Sequence, residues 1–282
     1  MRKLQLSILT LAMILVFSPA AHAFSLANDY QGPVGFKFTD FSTGSLYQSS
    51  SDGYGNADGE ENAWGIFKVS SIYADNFGVD TLWSDGTDGQ ELTGIYYGID
   101  DDKWTVNPDG TVNIQSVSGH IDLYLDSAQN FDATGGPGDR TDTSHYPGAT
   151  DGQLFMSLDF ATGIKFGDGD AANDYITYNN NLDSTTAPFT GQGAFYLNVT
   201  GGDYAYMFDS DRWQVTDDSG NVYYRDFFAQ FTTTTKNSGE WLVRSDDPIR
   251  GAVIPEPASM VLFGTGLFGM VGAHRRKKKI SA

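Results

Sequence analysis

Apolar and polar residues alternate along this chain in short runs rather than at helical spacing. The runs at 34–41, 64–73, 92–99, 121–125, 154–160, 194–200 and 222–231 hold many β-branched and aromatic residues, and a period near two in such residues predicts strands. Turn signals separate them. Asp-Gly alone occurs seven times, at Asp52, Asp58, Asp85, Asp88, Asp109, Asp151 and Asp168. The clearest hairpin joins 103–106 to 111–117 through Asn107-Pro108-Asp109-Gly110, and a second joins 212–216 to 221–231 through Asp217-Asp218-Ser219-Gly220. Many short strands with polar turns predict an all-β fold, a single antiparallel β-sandwich or jelly-roll-like body. The absence of a fixed-period repeat disfavours solenoids and propellers. Two polar stretches, 49–62 and 126–151, read as long loops of the functional or flexible kind.

The two ends depart from this pattern. Arg2 and Lys3 precede an apolar run at 4–17, followed by Pro19 and the small-residue pattern Ala21-His22-Ala23. This is the layout of a signal helix removed by signal peptidase after Ala23, following entry through the Sec translocon. At the other end stand Pro255-Glu256-Pro257, an uncharged apolar stretch at 258–273, and then Arg275, Arg276, Lys277, Lys278 and Lys279. The prolines fix φ and withhold backbone donors, so this peptide should be extended and readable. Sixteen apolar residues make a transmembrane helix of about 24 Å, short for a hydrocarbon core of about 30 Å. Gly264, Gly266, Gly269 and Gly272 weaken it further. The five cations stop transfer and stay cytoplasmic, leaving the body outside. The chain thus divides into a signal peptide at 1–23, a β-rich extracellular domain at 24–250 and a tail at 251–282.

The tail resembles the PEP-CTERM sorting signal of Gram-negative bacteria, with Pro255, Glu256 and Pro257 as one half of the likeness and the basic run as the other. The resemblance implies that an exosortase, an integral-membrane cysteine protease or transpeptidase, recognises and removes the tail. It further implies a setting of exported polysaccharide, biofilm or floc. It covers under a tenth of the chain and says nothing about the fold of the body.

Charge narrows the partners. Removing Arg2, Lys3 and the five tail cations from 17 basic residues leaves 10, and removing Glu256 from 36 acidic residues leaves 35, so the body carries −25. Nucleic acid and anionic lipid need basic surface and are disfavoured. Only five of the acids are Glu. Aspartate is poor in helices and favoured in turns, which places the acidity in loops, and carboxylate oxygens suit hard cations. There is no cysteine, so no disulfide supports the exported body.

Catalytic chemistry has little to work with. Only His120 and His145 remain in the body, so a zinc site of three His or Cys ligands and a cysteine nucleophile are both excluded. No Gly-x-Ser-x-Gly elbow is present, and Glu60, Glu61, Glu91 and Glu240 fall in no glycosidase pattern. His145 reads as a solvated loop residue and His120 as the edge of a strand at 120–123. No catalytic residue is assigned. Calcium is the better candidate: Asp168, Asp170, Asn173 and Asp174 place oxygen ligands in a Gly-containing loop, although not in EF-hand order. Asp100-Asp101-Asp102 is a second concentration of charge. Acidic turns that merely keep the protein soluble explain the same residues.

Trp64, Trp83, Trp104, Trp213, Trp241 and the pairs Tyr96-Tyr97 and Tyr223-Tyr224 are expected mostly in the core, with one tyrosine of each pair facing out. The leading expectation is a non-catalytic surface or matrix protein, held at the inner membrane in transit and associated with exopolysaccharide. A calcium-dependent carbohydrate-binding module is the alternative, and a polysaccharide hydrolase or lyase the third reading.

Overall fold

The computed structural model describes residues 24–44, 59–75, 80–164, 178–183, 190–217, 219–235, 241–245 and 248–254. Within them the alternating runs form β1 (Gly32–Gly44), β2 (Ala63–Ala74), β3 (Thr81–Ser84), β4 (Glu91–Val106), β5 (Thr111–Asp126), β6 (Gln153–Ala161), β7 (Tyr178–Asp183), β8 (Thr190–Gly201), β9 (Trp213–Thr216), β10 (Val222–Arg225), β11 (Phe227–Thr235), β12 (Val243–Ser245) and β13 (Ile249–Val253). The turn between β4 and β5 is the one its residues dictate. Gly110 has φ 89°, a conformation open to glycine, and the Asn107 N–H bonds to the Thr111 carbonyl at 2.8 Å. The Asp109 carboxylate accepts from the Thr111 N–H and hydroxyl, and these bonds hold its pKa below the ordinary value.

The strand pairings close on themselves. β1 is bonded to β2 on one side and β13 on the other, and the ring runs β1–β2–β4–β5–β6–β8–β11–β13, antiparallel throughout. Toward one end, here called the mouth, β7 takes the place of β6 between β5 and β8, and β12 takes the place of β13 between β11 and β1. The all-β antiparallel expectation holds, and the two faces of the body belong to one continuous sheet. Closure gives every ring strand a neighbour on both sides, which matters for a chain without disulfides; β3, bonded to β2 alone, and the β9–β10 ribbon stand outside the ring.

An eight-strand ring encloses just enough space for its own side chains or one small ligand. Away from the mouth the filling is apolar: Val34, Phe36, Phe67, Val69, Leu92, Ile121, Leu123, Leu158, Leu197 and Phe227 form one cluster. Aromatic residues plug that end. Phe24 meets Phe155 edge-on at 4.7 Å, Phe155 stacks on Tyr204 at 4.9 Å, and the Phe24 N–H donates to the Tyr204 hydroxyl.

The loop at 126–151 is a strap rather than a tether between halves. It crosses the outer face of β2, β4 and β5 and makes a second core of Trp64, Ile66, Ile95, Tyr146, Ala149 and Trp241. Burying the outward residues of a strand this way explains why the runs at 64–73 and 92–99 are apolar on both faces.

Three expectations need correction. The run 222–231 is two strands, because Asp226 breaks it: β10 pairs only with β9, while β11 joins the ring. His120 lies inside the 16-residue β5, between Tyr97 of β4 and Asp159 of β6, and not at a strand edge. Asp100, Asp101 and Asp102 lie in β4, where three register shifts let a run of aspartates interrupt the alternation. In addition, β13 crosses the division between 250 and 251 expected from the sequence. The signal helix and the tail helix lie outside the described residues, among which no helix is long and apolar enough to cross a membrane.

Candidate functional site

Three of the buried acids, Glu61, Glu91 and Asp101, are committed to the scaffold. Glu61 forms a bidentate pair with Arg140 at 2.5 and 2.8 Å and also accepts from the Gly98 N–H. The Arg140 guanidinium sits 4.1 Å over the Trp64 ring and bonds to the carbonyls of Asp142 and Thr143, which fixes the strap. Glu91, fully buried, accepts from the N–H groups of Asn130 and Phe131 and from Lys68. Burial alone would lower the Lys68 pKa, but its bonds to Glu91 and Asp85 outweigh this and raise it. Asp101 accepts from the Ser116 hydroxyl at 2.6 Å and the Trp104 indole at 2.9 Å. Its carboxyl is pushed up by burial, against the pull of those two bonds, with the charge of Asp100 adding to the rise.

Asp209, Asp211 and Asp226 bring carboxylate oxygens within 4.8 Å of one another. Asp226 is buried and accepts the N–H groups of Val199, Ser210 and Asp211, so the fold itself accounts for its place. Burial raises the Asp209 carboxyl, with the charges of Asp226 and Asp211 contributing. The four ligands expected from the sequence, Asp168, Asp170, Asn173 and Asp174, lie outside the described residues. So do Ala21 and Ala23 at the signal cleavage position, Pro255-Glu256-Pro257, and Arg275 to Lys279.

On the outer face, a row runs across three strands from Tyr97 to His120 to Asp159. His120 Nδ1 lies 2.6 Å from Asp159 Oδ1, and both residues are about half exposed. Tyr97 donates to Asp122, which also accepts from Ser157; burial first, then the Asp122 charge, raises the Tyr97 phenol. The same causes push Tyr124 up to about 12. Trp64, Trp83 and Trp241 are core residues as expected, while Trp104 is exposed. Tyr96 and Tyr97 point to opposite faces, but Tyr223 and Tyr224 are both exposed because the β9–β10 ribbon stands apart from the ring.

Inside the ring, the filling changes character toward the mouth. Asp40 is buried and accepts from the Tyr96 hydroxyl at 2.9 Å. Two strands along the wall, beyond β12, Thr233 of β11 and Leu182 of β7 flank Gly191 of β8 in register, with Asn180 two residues along β7. A Cβ added to Gly191 would sit 2.5 Å from Thr233 Oγ1, 2.6 Å from Asn180 Oδ1 and 3.1 Å from the Asn181 carbonyl oxygen. The sequence does carry a signal for this corner, Gly191 and Gly193 two apart on one strand, but it emerges only once β7 and β11 are known to flank β8.

The class is therefore an all-β protein with a closed antiparallel ring, an aromatic plug and a polar mouth. The particular signal it carries is at the C-terminal side: residues 253–277 match the PEP-CTERM protein-sorting motif. This motif implies processing by an exosortase, export, and a cell-surface or extracellular location. Neither the curated proteins nor the solved structures offer a match to the chain. The first matched residue, Val253, is also the last residue of β13 and is buried in the core, and the Ile254 N–H bonds to the Met207 carbonyl at 2.8 Å. The motif thus begins on the last residue of β13, with no spacer between strand and motif.

Proposed function

We propose that the protein is a non-catalytic component of the cell surface or extracellular polysaccharide matrix. It enters the Sec translocon, loses its signal peptide after Ala23, is held at the inner membrane by the tail, and is released by an exosortase. The observation that carries this reading is the sorting motif joined directly to the closing strand of a self-contained ring. Two features support the matrix role. The buried carboxylates Glu61, Glu91, Asp101 and Asp226 hold backbone and side-chain donors in place. Tyr223 and Tyr224 are exposed on opposite faces of the β9–β10 ribbon, Val222 sharing the face of Tyr224, and exposed aromatic rings suit contact with sugar rings.

The test is fractionation of exporting cells, followed by co-sedimentation of the processed protein with extracted exopolysaccharide, with and without calcium. Recovery in the matrix fraction and co-sedimentation are expected. Recovery only as free protein in the medium, with no co-sedimentation in either condition, would refute the matrix role. Binding that requires calcium would favour the calcium-dependent module.

A further inference from the structure

The mouth end of the lumen holds two polar groups for which the fold supplies no partner. Asn180 and Thr233 are 7% and 8% exposed, yet Asn180 Oδ1 and Thr233 Oγ1 make no hydrogen bond. A buried hydrogen-bonding group left unsatisfied costs about 1–3 kcal/mol, and an apolar residue of the same shape would avoid that cost. The two oxygens lie against Gly191, 2.5 and 2.6 Å from where a Cβ there would stand, so both are directed at the same stretch of the lumen wall and a side chain at position 191 would displace them.

The rest of the wall is amphipathic. Asp40 and Tyr96, bonded to each other, lie on the other side of the short strand β12, so Asp40 and Thr233 stand about 10 Å apart along the wall at two strand spacings. Phe38 lies two residues from Asp40 toward the plugged end, and Phe231 two residues from Thr233 in the same direction, with Phe195 5.7 Å from Phe231. Toward the mouth the wall thus carries the polar atoms of Asp40, Tyr96, Asn180 and Thr233 among apolar positions, with Val112 and Ile114 pairing with β7 in register, and Phe38, Phe195 and Phe231 lie below them. This pairing of convergent polar atoms with apolar faces is the usual make-up of a small-molecule site, and the mouth of a barrel is a usual place for one.

We propose that this end of the lumen binds one neutral, polyhydroxylated ring: a glycosyl unit, supplied either by a free saccharide or by the end of a polysaccharide. A single hydroxyl donates to Asn180 Oδ1 while accepting from the Thr233 hydroxyl, which satisfies both orphaned atoms at once. The C–H face of the ring rests on the phenyl rings. Asp40 takes a further hydroxyl as acceptor. An anionic sugar is disfavoured, because the chain carries a net charge of −19 and Asp40 contributes to the wall. This inference deepens the matrix reading and rests on it for the kind of ligand.

The test uses processed protein, isotope-labelled for NMR, titrated with the methyl glycosides of glucose, galactose and mannose, with glucuronate, and with extracted exopolysaccharide. At least one neutral glycoside should move the amide signals of Asn180, Gly191 and Thr233, and glucuronate should not. Thr233→Val should unfold at the same temperature or higher without sugar and bind the glycoside at least tenfold more weakly, a combination that a purely structural hydroxyl would not give. The proposal is overturned if no glycoside moves those signals, which would leave the two atoms to water only, or if Thr233→Val binds as tightly as the unmodified protein. Co-sedimentation with polysaccharide while the three signals stay still would sink the pocket and spare the matrix reading. A free glycoside that binds the pocket, without any co-sedimentation, would do the reverse.

Discussion

At the scale of single residues, the strongest constraint is the Glu61–Arg140 pair, whose side chains are 5% and 0% exposed. Removing one partner of a buried pair leaves an uncompensated charge, so Arg140→Ala should cost about 3–5 kcal/mol, read from the urea midpoint. Arg140→Lys should recover little, because a point charge replaces the bidentate fork over Trp64. Asp101 predicts a pH dependence of definite sign. Its folded pKa is raised above 3.8 chiefly by burial, so the folded state holds the proton more tightly than the unfolded chain. The resulting stability is fully present below the unfolded pKa and is lost as pH rises through the folded one. Asp101→Asn should therefore gain stability relative to the unmodified protein as pH rises above the unfolded value of 3.8, measured by denaturant melts in acid and at neutral pH. None of this was legible in the sequence. Glu61 and Arg140 lie 79 residues apart with no local pattern linking them, and the aspartate run at 100–102 reads as solvated loop charge until β4 and β5 are seen to enclose it.

At the scale of elements, most strands announced themselves. The alternation that builds a half-buried strand is visible in the runs at 34–41, 154–160 and 194–200, and Asn107-Pro108-Asp109-Gly110 fixes its hairpin unaided. The strap was visible only as a long loop, because its burial depends on Tyr146 and Ala149 meeting Trp64 and Ile95 from distant strands. Trp241 closes that second core and donates its indole N–H to the Ala133 carbonyl at 2.7 Å. Trp241→Ala should cost about 3–5 kcal/mol and speed proteolysis within the strap more than elsewhere, as read by limited digestion. β13 escaped the sequence reading because five residues before a proline motif look like linker, yet they complete the ring between β1 and β11. A chain stopped at Pro248 should fail to fold, whereas one stopped at Ile254 should give the sheet circular-dichroism signal and a cooperative melt.

At the scale of the whole molecule, the described chain begins and ends at one pole of the ring. Gly32 pairs with Val253, Phe24 lies in the aromatic plug, and Ile254 bonds to Met207 beside it. The first residues of the sorting motif, Val253 and Ile254, therefore lie at the plugged pole, opposite the polar mouth. The sorting address was the most legible feature of the sequence, because proline chemistry, apolar length and charge are local properties. The closed ring was the least legible, since closure depends on pairings between the first and last strands. Mass spectrometry of the exported protein, from cells with and without their exosortase, tests the central claim most directly. A mature species ending near Pro255 to Pro257 only when the exosortase is present, with the full tail retained in its absence, is the predicted result. An identical C-terminus in both would contradict the account.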